Sequence, residues 1–186
     1  RAVLADVEQV DAVICDPPYG ARTHAGHNGS LQQADTFQRS THALGQGGTA
    51  RDGVQRRAIS YEGFSEQDVR HFVSEWSPRC RGWFVVMTDH VLARAWSSSL
   101  ADFGRYVFAP LPWFAPGSRV RLSGDGPSSW TCWVVVARPR TGTFRDGTES
   151  HRWGTLPGGY SFSSERGSHI GGKPLDLMRA LVRDYT

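Results

Sequence analysis

Lysine is almost absent from this 186-residue chain. Lys173 is the only one, so every other permanent cation among the 21 lysine and arginine residues is an arginine. A coding sequence biased towards arginine accounts for that pattern, although arginine also suits bidentate contacts with phosphates and guanine edges. Cysteine is scarce too. Cys15, Cys80 and Cys132 are widely separated and lack metal-ligand spacing, which argues against a disulfide framework and a zinc site and predicts reduced, mostly buried thiols. No apolar run approaches the length needed to span a membrane, and no secretory leader is evident, so a cytoplasmic protein with no membrane partner is expected.

What remains is ordinary globular material. With 39% hydrophobic and 21% charged residues, the chain reads as one globular domain or most of one. Its net charge of +3 is too mild to imply a polyanionic partner by itself.

The apolar pattern alternates strands and helices. Ala12 to Cys15 is a short buried strand that stops at a proline pair. Residues 21–57 form a long polar loop containing His24, His27 and His42, which lack metal-ligand spacing and should face solvent. Ser65 and Asp68 form an N-cap pair for a helix with Val69, Phe72, Val73 and Trp76 at helical spacing, ending near Pro78. Strands are expected over Gly82–Thr88, over Tyr106–Phe114 with proline interruptions, and over Trp130–Ala137; a helix over Val91–Phe103 closes at Gly104. From Arg138 to His169 arginine, glycine and aromatics dominate. Pro174 then opens a last helix with Leu175, Met178, Leu181, Val182 and Tyr185 on or near one face. This is an α/β pattern.

The stretch DAVICDPPYG, Asp11 to Gly20, carries the chemistry. The carboxyl end of a buried strand in an α/β sheet is where ligands usually sit. Pro17 and Pro18 have no N–H, and Pro18 holds Pro17 extended, so the turn after Asp16 offers acceptors and withholds donors. Such a site suits a substrate that only donates hydrogen bonds, as the exocyclic amino group of adenine or cytosine does. If the Asp16 carboxylate and the Pro17 carbonyl each accept one N–H, the nitrogen pyramidalises and its lone pair turns towards an electrophilic methyl group. Tyr19 supplies a face for a flipped base, and Gly20 lets the backbone turn away. Asp89 and His90 follow the second strand and either line the same cleft or, in the case of Asp89, cap the next helix.

The string Asp16-Pro17-Pro18-Tyr19 after an apolar strand resembles motif IV of the S-adenosylmethionine-dependent DNA amino methyltransferases. HIGGKPLDLMRALVRDYT, from His169 to Thr186, resembles the segment those enzymes carry before their glycine-rich cofactor loop, and the order of the two resembles the permuted β class. The resemblance implies a Rossmann-like methyltransferase sheet with helices on both faces, S-adenosylmethionine as cofactor, DNA as substrate, and room for a homodimer or a partner subunit. It implies catalytic roles for Asp16, Pro17, Pro18 and Tyr19, and a cofactor wall from Asp16, Lys173 and Pro174; an exposed helix-start lysine is the other reading of Lys173. It divides the chain into a catalytic region over 1–137, a target-recognition segment over 138–168 with Arg145, Arg152 and Trp153 against DNA, and a Lys-Pro helix over 169–186. A solvated loop is the alternative for the middle segment.

The family's glycine-rich cofactor loop would follow Thr186, its Gly-Asp pair would precede Arg1, and LGQGGTA, Leu44 to Ala50, lacks the preceding strand needed to replace that loop. The expectation is therefore the target-amine half of a methyltransferase, acting preferentially on adenine. A catalytically silent nucleic-acid-binding subunit, or a methyltransferase acting on RNA or a protein amide, is the alternative.

Overall fold

The computed structural model describes residues 6–23, 61–116, 127, 129–140, 153–163 and 172–186. Most of the 21–57 loop, including its three histidines and LGQGGTA, lies outside the described residues, as do Arg145, Arg152 and His169.

The elements are β1 (Val13–Cys15), α1 (Glu66–Trp76), β2 (Phe84–Thr88), α2 (Ala93–Asp102), β3 (Arg105–Val107), β4 (Leu111–Phe114), β5 (Thr131–Pro139), β6 (Tyr160–Ser161) and α3 (Leu175–Tyr185). Six strands form one mixed sheet ordered β1-β2-β5-β4-β6, with β3 also on β5. β1 lies parallel to β2, and β5 runs antiparallel to its neighbours. β3 and β4 are two pieces of one edge. Between the pairs Val107–Ala137 and Leu111–Val134, four steps along the edge match three along β5, so the proline-containing stretch bulges by one residue.

β2 and β5 are apolar without alternation because both their faces are covered. Val85, Met87, Val134 and Val136 pack with Leu177, Leu181 and Tyr185 of α3. Phe84, Val86, Val135 and Ala137 pack with Val69 and Val73 of α1 and Trp96 and Leu100 of α2. Each fully buried side chain of this kind contributes roughly 1.5–3 kcal/mol.

Local chemistry sets the helix ends. Ser65 Oγ accepts from the Asp68 N–H at 3.2 Å while Asp68 Oδ2 accepts from the Ser65 N–H at 2.8 Å, the reciprocal capping box expected from the pair. Gly104, at φ +80°, ends α2. Pro174 precedes α3, and its carbonyl accepts from the Met178 N–H at 3.1 Å.

The face of α3 departs from expectation. Leu177, Ala180, Leu181 and Tyr185 are buried, whereas Leu175 and Val182 are exposed. Apolar residues wrap most of this short helix, so spacing alone left its phase open; the sheet selects the face carrying the small Ala180. The 153–163 stretch also enters the sheet. Tyr160 is buried in β6, its hydroxyl donates to Asp184 at 3.0 Å, and Trp113 Nε1 donates to the Phe162 carbonyl at 3.1 Å.

Candidate active site

β1 and β2 end at the same rim of the sheet because they are parallel, and that rim carries Asp16 and Asp89. Asp16 follows β1 directly, and Pro17, Pro18 and Tyr19 continue as irregular backbone. Two contacts fix the loop from behind. The Phe64 N–H donates to the Tyr19 carbonyl at 3.1 Å, and Gly20 bridges to Phe64. This approach is close enough to require Gly63: a Cβ there would lie 2.7 Å from the Tyr19 carbonyl oxygen and 2.8 Å from the Ala21 nitrogen.

Asp89 holds the loop from the side and braces the turn that leads into α2, whose N-cap position is Leu92. Its Oδ1 accepts from the N–H groups of Val91 and Leu92, at 3.1 and 2.9 Å, leading the chain into α2. Its Oδ2 accepts from the Gly20 N–H at 2.9 Å and from the Thr23 hydroxyl. Asp89 is buried, so its carboxylate is a fixed structural acceptor beside the motif, while His90 is exposed. Gly20 is not in the left-handed region; the position requires its N–H, and no unusual backbone angle.

Lys173 reaches the motif from the other end of the chain. Its Nζ lies 2.5 Å from Asp16 Oδ2 and 5.1 Å from the centroid of the Tyr19 ring. The lysine side chain is 11% exposed and that of Asp16 is 33% exposed. An ammonium donates through three N–H groups and accepts none, so it is satisfied by an acceptor-lined turn. Pro174 beside it is buried. Burial pushes the neighbouring Cys15 thiol up to about 12, and the adjacent Asp16 charge adds to the shift.

The target-recognition residues are more dispersed. Trp153 lies against Trp83, with ring centroids 5.0 Å apart, and 5.9 Å from the Arg138 guanidinium. Arg138 pairs with Tyr106 at the end of β5, level with the start of β2, and so stands at the rim away from Asp16. Arg138 also stacks on Tyr106 at 4.6 Å. The Asp16 rim instead carries an exposed aromatic pair that composition did not single out: Phe114 and Trp130, 42% and 39% exposed, with centroids 5.9 Å apart. The register of β2, β5 and β4 places them there, through the pairs Thr88–Trp133 and Phe114–Thr131. Among the described residues, no three His, Cys, Asp or Glu side chains converge as metal ligands.

No protein-family model matches this sequence. No curated protein matches it either. Solved structures do. The complex of M1.HpyAVI with SAM is similar over 96% of this chain and 68% of that one, at 16% identity and a TM-score of 0.53. TTHA0409 of Thermus thermophilus, provisionally described as a DNA modification methylase, is similar over 100% of this chain and 71% of that one, at 14% identity and a TM-score of 0.49. A mixed six-stranded sheet covered by helices, similar to M1.HpyAVI over 96% of this chain, gives this chain a Rossmann-like methyltransferase fold.

Proposed function

We propose that this chain carries the target-amine side of an S-adenosylmethionine-dependent DNA amino methyltransferase. The observation that carries the reading is the capture of the Lys173 ammonium by Asp16 above the Tyr19 ring, which marks the turn as a receiver of N–H donors next to an aromatic face. In this role Asp16 and the Pro17 carbonyl accept the N–H groups of a flipped base, Pro18 holds the turn extended, and Tyr19 stacks on the base. Adenine is the first choice and cytosine the second, since aspartate at the first motif position resembles the adenine enzymes more often.

S-adenosylmethionine supplies the electrophilic methyl group. The donor set fits its amino-acid end in chemistry, because Lys173 suits a carboxylate and Asp16 suits a cation; Pro174 adds an apolar wall. Phe114 and Trp130, on the same rim, offer stacking surface to DNA, with Arg145 and Arg152 kept as candidates for phosphate or base contacts.

The test is base analysis. DNA incubated with the protein and S-adenosylmethionine is digested and its nucleosides are separated by mass. N6-methyladenine is expected; N4-methylcytosine would move the target to cytosine. Absence of both, with the protein folded, would return the chain to the reading of a silent DNA-binding subunit.

A further inference from the structure

The pair between Lys173 and Asp16 joins the two groups that a target base would need. Building on the reading of Asp16 as an amine acceptor, we propose that the Lys173 ammonium is a resident placeholder for the target amine, holding Asp16 and the face of Tyr19 until an amine-bearing base displaces it.

Three observations carry this. One nitrogen, 2.5 Å from Asp16 Oδ2 and 5.1 Å from the Tyr19 centroid, engages both the carboxylate and the ring, so a base stacked on Tyr19 with its amine on Asp16 competes for the same space. The ammonium resembles that amine in the property the turn reads, since both present N–H donors to it. Displacement requires no movement of α3: Pro174 is buried and fixes the backbone, while the four-carbon stem of Lys173 swings.

The placeholder confers selectivity. Adenine and cytosine return to Asp16 the N–H bond that the ammonium gives up. Thymine has no exocyclic amine; it offers only the ring N3–H, flanked by two carbonyl oxygens that would face an acceptor-lined turn, so it returns less to Asp16.

Because Lys173 is the only lysine, 15N-lysine labelling gives one side-chain Nζ signal. In the ligand-free protein, Asp16→Asn should shift that signal and speed its exchange with water. Deoxyadenosine and deoxycytidine should move it towards the position of free lysine, and thymidine should move it far less. Lys173→Met, with the placeholder gone, should bind deoxyadenosine about tenfold more tightly if the site is open in roughly a tenth of wild-type molecules. A signal indifferent to Asp16→Asn overturns the proposal, as does an equal response to all three nucleosides or weaker binding by Lys173→Met. If deoxyadenosine shifts the Tyr19 ring resonances without moving Nζ, the placeholder falls and the amine-site reading stands. If no nucleoside reaches Tyr19 while Nζ still reports Asp16, both fall.

Discussion

Asp89 Oδ2 accepts the Gly20 N–H at 2.9 Å across 69 residues of sequence, tying the turn after β2 to the end of the Asp-Pro-Pro-Tyr loop. The same carboxylate accepts from Val91 and Leu92, so one buried side chain organises two loops at the candidate site. Asp89→Ala would leave several N–H groups without an acceptor and should destabilise the fold by about 2–4 kcal/mol. Asp89→Asn, which keeps one acceptor oxygen, should lose less. Urea denaturation of the two variants checks the order.

Asp16→Ala should lower methyl transfer by about 100-fold or more while leaving folding and DNA affinity close to wild type. Asp16→Asn should be milder because an amide oxygen still accepts. Single-turnover rates beside binding isotherms separate these effects, and a variant that keeps most of its turnover would remove Asp16 from the mechanism.

Gly63→Ala tests the backbone contact behind Tyr19. Its methyl group cannot enter at 2.7 Å from one backbone atom and 2.8 Å from another, so the loop must shift. The expected result is a lower melting temperature together with weaker nucleoside binding. Gly104→Ala, at φ +80° in open space, should cost stability alone.

The aromatic residues should separate by role. Phe114→Ala combined with Trp130→Ala removes exposed rings and should weaken DNA binding with little change in stability. Trp153→Ala removes a ring packed on Trp83 and should destabilise by about 2–4 kcal/mol, without changing the salt dependence of DNA binding. Denaturation and salt-titrated binding, run on both variants, decide it.

Asp68 and Cys15 shape opposite ends of the pH profile of stability, and Tyr160 and Tyr185, whose hydroxyls burial also pushes up, add to the alkaline end. The Ser65 hydrogen bonds hold the Asp68 carboxyl below its usual value, so the capping box stabilises α1 above the unfolded value and is lost as pH falls through the folded one. Cys15 moves oppositely, from 9.0 to about 12: the folded thiol keeps its proton where the unfolded chain releases it, and stability declines from pH 9.0 to about 12. Thermal melts across both ranges should show the two limbs, and Cys15 should resist alkylation at pH 8.

Much of the frame was legible because its signals are local. β2 and β5 are unbroken apolar runs, Ser65 and Asp68 announce α1, and Gly104 closes α2. β6 was not legible, since two residues in parallel pairing with β4 have no period to detect. The site was legible in its loop and illegible in its supports. Asp16-Pro17-Pro18-Tyr19 is contiguous, but Asp89 reaches Gly20, and Lys173 reaches Asp16, only through the sheet order. The rim occupied by Trp153 also depends on register: composition places an indole near DNA as readily as against Trp83.

The separation of 157 positions between Asp16 and Lys173 orders events during synthesis. The motif is made first, and its ammonium partner follows only when the intervening residues have been made. Until α3 follows, Val85, Met87 and Val136 lack the Leu177, Leu181 and Tyr185 side chains that pack with them. A chain lacking α3 would therefore leave an apolar face partly bare and Asp16 without its ammonium, and partly folded chains with bare apolar faces are prone to aggregate. α3 and Lys173 are thus needed together, one to complete this face of the core and the other to close the pair with Asp16.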